Sequence, residues 1–131
     1  MSTENPGTIL ILETRAFPAA SERAALEGYG YPVVAANTLE DAAKALSGKI
    51  VSLIACDIEF SPKTGCSAAV RTLLEGHDLP VLFLVHSLAS CLPSELEELA
   101  TFGFATRNSP AFVLHAAVEN AMELFRLRKG T

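Results

Sequence analysis

Tryptophan is absent from this chain, aromatic residues make up only 7% of it, and cations are scarce: Lys and Arg total 10 against 15 Asp and Glu, a formal net charge of −5. That balance argues against a nucleic-acid-binding surface. The nearest basic cluster, Arg126-Leu127-Arg128-Lys129, reads as cations favouring a helix C-terminus. No apolar run approaches the ~18 residues of a membrane span, and the polar, turn-rich start from Met1 to Gly7 lacks the pattern of an export signal. Cysteine is sparse too. Cys56, Cys66 and Cys91 form an odd set without C-x-x-C spacing, which points to free thiols in a reducing, cytoplasmic setting. His77, His86 and His115 stand at no ligand-like spacing to those cysteines, so a Cys/His metal site is set aside. Neither G-x-G-x-x-G nor a P-loop is present for a nucleotide or flavin. Without a G-x-S-x-G elbow, and with His86 and Ser87 adjacent in sequence, a nucleophilic triad built on Asp57, His86 and Ser87 is disfavoured. An enzyme is not expected.

What the chain does have is an ordinary globular composition, 50% hydrophobic and 19% charged, in 131 residues that suffice for one domain. That domain is expected over 8–128, after a flexible N-terminus at 1–7 and before a short tail at 129–131. Strand and helix patterns alternate through it. Residues 8–13 read as a strand and 18–28 as a helix ended by Gly28-Tyr29-Gly30. Tyr31 to Ala36 is a short strand whose Pro32 suits a sheet edge. Thr38 caps a helix to about Leu46, with Asp41 completing a weak capping box. The apolar run from Ile50 to Cys56 is a buried strand ending at Asp57. Ser67–Glu75 is a helix, Leu79–Val85 a buried strand, and Pro93 to about Thr101 an acidic helix. Phe102–Thr106 is a last strand. Ser109-Pro110 starts a final helix to about Arg128, with Leu114, Val118, Ala121 and Phe125 as its apolar stripe.

Such alternation predicts an α/β fold, a flavodoxin-like (βα)5 doubly wound parallel sheet of strand order 2-1-3-4-5. In this order the switch point lies between the first and third strands, and ligands gather at the carboxyl ends there. Those two strands end in Glu13 and Asp57. Paired carboxylates of this kind suit Mg²⁺, which takes one or two protein carboxylates and fills its other positions with water or phosphate oxygens.

With these residues in hand, the chain resembles the receiver domain of bacterial two-component response regulators, from about Thr8 to Arg128. The motifs that carry the resemblance are Ile9-Leu-Ile-Leu-Glu13, Cys56-Asp57-Ile58, Gly65, Asp78-Leu-Pro-Val-Leu-Phe-Leu84, and Phe102-Gly-Phe104 with Arg107-Asn-Ser109. The last two stretches look like receivers attached to PAS-containing sensor kinases. The resemblance implies that Asp57 accepts a phosphoryl group from a kinase histidine. It implies Mg²⁺ held by Glu13, Asp57 and the backbone carbonyl of Glu59, weakly, because Thr14 stands where a second acid is usual. Val85 takes the place of a phosphoryl-binding Thr or Ser, with His86 or Ser87 as substitutes if the alignment slips. Arg107 takes the place of a Lys, and Phe104 that of an aromatic switch residue. Arg15 is either a further partner for Asp57 or a solvated surface cation. Phe102, Phe104 and Phe112 are expected in the core, with one of them as a docking residue the alternative.

The implied partner is a histidine kinase or a phosphotransfer protein, met at the face made by the fourth helix, fifth strand and last helix; a homodimer through that face is compatible with the same resemblance. Neither nucleic acid nor membrane is expected as a partner. The alternative is a pseudo-receiver, binding partners through the same face without phosphorylation. Because the sequence stops soon after the last helix, either a stand-alone regulator or a piece of a larger sensor is expected.

Overall fold

The computed structural model describes residues 7–86 and 99–129. Five strands form one parallel sheet: β1 (Thr8–Leu12), β2 (Val33–Ala36), β3 (Val51–Asp57), β4 (Val81–Val85) and β5 (Phe104–Thr106), in the order β2-β1-β3-β4-β5. The helices are α1 (Ala20–Gly28), α2 (Leu39–Gly48), α3 (Cys66–Leu74) and a C-terminal helix (Ala111–Lys129), with a 3₁₀ turn at Ala100–Phe102. This is the predicted flavodoxin-like order. Both prolines preceding strands act only as acceptors there: Pro32 O takes the Ile9 N–H at 2.9 Å and Pro80 O the Ile54 N–H at 3.0 Å. Such residues cannot donate to a ladder, so β2 and β4 begin just after them.

Alternation along the strands builds two cores. Leu10, Leu12, Ile54, Cys56, Val81 and Phe83 face α2 and α3, packing on Ala42, Leu46, Ala69 and Val70. Ile9, Ile11, Leu53, Ala55, Leu82, Leu84 and Ala105 face the other way, onto Leu26 of α1 and Leu114, Val118 and Ala121 of the C-terminal helix. Helices on both faces explain why β1 and β4 are buried throughout, with no polar alternation. Parity therefore assigns each residue at a strand end to one side of the sheet.

Thr38 caps α2 as predicted, its Oγ1 accepting the Asp41 N–H at 3.0 Å. The start of the last helix differs. It begins at Ala111, Pro110 O accepts from Val113 and Leu114, and the Ser109 hydroxyl donates back to Thr106 O at 2.6 Å instead of capping. The stripe of that helix is otherwise as expected, Phe125 meeting Phe102 edge to face at 5.6 Å. Of the acidic helix predicted over 93–101, residues 93–98 lie outside the described residues, and the chain from Ala100 is the 3₁₀ turn. The aromatic expectation needs correction. Phe104 is 52% exposed and Phe112 67% exposed, because Phe104 projects from the edge strand and Phe112 stands on the outer face of the C-terminal helix.

Candidate functional site

Parity brings three sequence-distant residues to one corner. Leu53, Ala55 and Asp57 share the face toward α1; so do Leu82, Leu84 and His86, and so do Ala105 and Arg107. At the carboxyl edge, Asp57 pairs in register with Leu84 of β4, and Val85 with Thr106 of β5. His86 and Arg107 therefore leave their strands beside the Asp57 carboxylate.

Asp57 has no exposed surface. Arg107 Nη1 donates to its Oδ2 at 2.5 Å, and His86 Nε2 lies 3.1 Å from Oδ1 and 3.0 Å from Oδ2. The Glu59 N–H donates to Oδ1 at 2.8 Å. Every oxygen thus has at least two polar neighbours. The β3–α3 loop is shaped to deliver that amide: the Phe60 N–H returns to Asp57 O at 2.9 Å, and the buried Phe60 ring anchors the turn. Gly65 closes it at φ +95°, a conformation that costs glycine little, and its N–H donates to Ser61 O at 2.7 Å.

Arg107 is itself enclosed. Its Nη2 donates to Phe17 O at 3.2 Å and Pro18 O at 3.0 Å, and its Nε stands 3.4 Å from Glu22 Oε2. One guanidinium thus spans two buried carboxylates and two backbone carbonyls, a task suited to a planar fork. Glu22, 3% exposed, also accepts the Asn108 N–H at 2.6 Å and the Ser21 hydroxyl at 3.2 Å. Sequence reasoning passed over it. A signal was present: Ala19, Glu22 and Leu26 fall on one helical stripe, and an acid on the stripe that faces a core needs a buried cation.

Neither a protein-family model nor a curated protein matches this chain. Solved structures do. The N-terminal domain of a response regulator/sensory box/GGDEF three-domain protein from Carboxydothermus hydrogenoformans is 28% identical, covers 92% of this chain and 98% of its own, and superposes with a TM-score of 0.79. The signal receiver domain of a modulated diguanylate cyclase from Desulfovibrio desulfuricans is 24% identical over 93% of this chain and 98% of its own, TM-score 0.79. A Burkholderia pseudomallei response regulator, solved with a phosphorylated aspartic acid, a calcium ion and citrate, is 18% identical over 89% of this chain and 69% of its own, TM-score 0.70.

This is a divergent receiver-domain fold.

The residues matched to the receiver motif are placed differently from one another. Val85 is 3% exposed, and parity turns it to the α3 side of the sheet, away from Asp57; the polar group reaching the carboxylate from β4 is His86, one residue on. Arg15 is exposed, and the guanidinium on Asp57 belongs to Arg107. Glu13 follows Leu12, the register partner of Cys56, so the two acids do end neighbouring strands. Its carboxylate, however, accepts the Ala19 N–H at 2.8 Å at the head of α1, and the Thr14 hydroxyl accepts the Phe17 N–H at 2.9 Å. The open pair of facing carboxylates expected from sequence is therefore replaced by an Asp57 enclosed by cationic and imidazole donors.

Hard oxygen donors at Glu13 and Asp57 fit a divalent cation in kind, but they are few. Among the described residues no three His, Cys, Asp or Glu side chains converge on a common point. A metal ion would compete with Arg107 and His86 for the same carboxylate oxygens.

Glu22 links the site to stability. Burial raises its carboxyl pKa, but the Asn108 N–H and the Arg107 guanidinium outweigh that, and the pKa lies below the ordinary 4.5. Between the two values the folded state binds fewer protons than the unfolded one. The stabilisation is complete above about pH 4.5 and is lost as pH falls through the lower folded value. Glu22→Gln is expected to flatten the acid limb of urea midpoints measured from about pH 5 down to pH 3. An acid limb as steep as the parent's would show that Glu22 does not carry it.

Proposed function

We propose that this domain is a two-component signalling receiver that takes a phosphoryl group on Asp57 and changes its binding to a partner in response. The observation that carries the reading is the contact at the switch-point edge of a receiver fold: one carboxylate, one guanidinium at 2.5 Å, and one imidazole at 3.0 Å. Transfer breaks the P–N bond of a phosphohistidine on a histidine kinase or phosphotransfer protein and forms a P–O bond to an Asp57 oxygen. Phosphoryl transfer depends mainly on position and charge neutralisation. The acceptor oxygen must first shed His86, whose ring is 27% exposed and rests edge-on against Phe17, 5.1 Å between centroids. Arg107 is then placed to move one bond outward, from carboxylate to phosphoryl oxygens, and its fork can hold two of them. Glu13, Asp57 and the Glu59 carbonyl would hold Mg²⁺, which supplies further neutralisation of phosphoryl charge when bound. Thr14 leaves that ion one carboxylate short.

Phosphorylation adds about −1.5 to −2 charges beside Arg107 and Glu22. The added charge draws Arg107 away from Glu22 and the Phe17 and Pro18 carbonyls, and so favours a second arrangement of β5, which carries Arg107 at its end. Next to β5 an apolar groove of about 470 Å³ runs between Phe102, Phe104, Ala117 and Leu124. This fifth-strand and last-helix face is the proposed partner surface. No helix among the described residues is long and apolar enough to cross a membrane.

The test is intact mass after incubation with an acyl phosphate and Mg²⁺. One phosphoryl group is expected on the parent and none on Asp57→Asn. No gain with any donor, with partner binding retained, would instead make the domain a phosphorylation-independent binding module.

A further inference from the structure

Across the sheet from the Asp57 carboxylate, two thiols are already in contact. Cys56, the residue before Asp57 on β3, and Cys66, the first residue of α3, place their Sγ atoms 3.4 Å apart without a disulfide. Both elements are held firmly. Cys56 is in register with Leu12 on one side and Phe83 on the other, while α3 is anchored by Ala69, Val70 and Leu73 in the same core. Both sulfurs also lie close to the Asp57 carbonyl oxygen, Cys56 Sγ at 3.4 Å and Cys66 Sγ at 3.7 Å. A disulfide needs about 2.05 Å between sulfurs, so an approach of about 1.4 Å closes it. Rotation about χ1 at the α3 end supplies a shift of that size without parting the strands.

We propose that Cys66 and Cys56 are a peroxide-responsive pair, Cys66 reacting first and Cys56 resolving. Their exposures differ as the roles require: Cys66 is 8% exposed and Cys56 is 0% exposed. With no exposed surface, the Cys56 sulfur meets a peroxide only after Cys66 has reacted. Cys66 sulfur attacks one oxygen of a hydroperoxide. The O–O bond breaks, a sulfenic acid forms and water (or an alcohol) leaves. Cys56 sulfur then attacks the sulfenic sulfur, the S–O bond breaks, the Cys56 proton goes with the departing hydroxide as a second water, and the S–S bond forms. Two electrons pass from the thiols to the peroxide. A thiol reductant reverses the step.

The ring so formed encloses the whole β3–α3 loop, including the Glu59 amide on the Asp57 carboxylate, and it removes both S–H groups from the Asp57 carbonyl. Oxidation therefore stiffens the loop that follows the acceptor. The chemistry does not depend on Asp57 being phosphorylated.

The chain with Cys91→Ser is treated, folded, with hydrogen peroxide, alkylated and digested without reductant. The expected result is loss of two hydrogens from the intact mass, a Cys56–Cys66 cross-linked peptide reversed by dithiothreitol, and slower amide exchange over 58–65. In Cys56→Ala the sulfenic acid has no resolving partner, and a dimedone adduct is expected on Cys66. Recovery of both thiols in alkylatable form after peroxide overturns the proposal. So does a cross-link that appears only in urea, or dimedone labelling that falls on Cys56 in Cys66→Ala and not on Cys66 in Cys56→Ala.

Discussion

Replacing Arg107 with methionine is expected to lower the unfolding free energy by about 3–5 kcal/mol at neutral pH. The side chain is 7% exposed, and it is the cation shared by Asp57, with no exposed surface, and Glu22, which is 3% exposed. Methionine fills much of the volume but leaves both carboxylates desolvated without their guanidinium, and withdraws two N–H donors from Phe17 O and Pro18 O. Breaking a buried pair from one side costs more than the pair itself contributes, because the charge left behind cannot return to water. The loss corresponds to a fall in Tm on the order of 10–20 °C for a domain of this size. It should shrink as pH falls through the Glu22 value, below the ordinary 4.5, since a neutral acid no longer needs the cation. Lysine at 107 should restore only part of the loss: one ammonium cannot span two carboxylates and two carbonyls. Urea denaturation at neutral and acid pH checks all three statements. A loss under about 1 kcal/mol at neutral pH would mean that both carboxylates gain water when Arg107 is removed.

Phe60→Ala is expected to cost about 3–5 kcal/mol and to loosen the site in the same stroke. Phe60 is fully buried in the turn that follows Asp57, in the core shared with Cys56, Cys66, Ala69 and Phe83. Truncation leaves a cavity that the flanking strand and helix cannot collapse into, since β3 lies between β1 and β4 and α3 is held by Ala69, Val70 and Leu73 in the same core. The same residue's N–H fixes the turn through Asp57 O, and that turn sets the Glu59 amide on the carboxylate. Amide exchange at 58–64 should therefore rise more than in the strands. Phe60→Leu should keep most of the stability, because a volume-conserving apolar change costs less than about 1.5 kcal/mol. Equal acceleration of exchange in β1 and in the loop would show that the ring supports the fold as a whole and has no special hold on the turn.

The contrast between the second and fourth strands explains what could be read early. The sequence placed Pro32 and Pro80 inside strands over 31–36 and 79–85, but the strands begin just after them, because proline has no N–H to give a ladder. The unbroken apolar runs at 9–12 and 81–85 signalled burial on both faces. Residues at the strand ends were harder. Val85 looked like the position facing Asp57 when the chain was matched by motif, but alternation turns it toward α3 and turns His86 inward. That outcome was available from period-two counting along Leu82, Leu84 and His86. Phe104 and Phe112 misled for the opposite reason: an aromatic side chain favours burial, but an edge strand and an outer helix face leave it in water.

The local chain alone decided the alternation of strand and helix, the order of the sheet, and the placing of Asp57 at the carboxyl end of its central strand. Each of these follows from hydrophobic period, turn chemistry and the short connections of an α/β unit, all of them local properties. Only the tertiary structure decided who guards that carboxylate. His86 lies 29 residues from Asp57, Arg107 lies 50, and Asn108 meets Glu22 across 86. Period-two counting turns His86 to that face and the resemblance puts Arg107 at the same edge, but the contacts themselves, and the tie of Arg107 to Glu22, depend on the reach and desolvation of side chains once the sheet has brought them together.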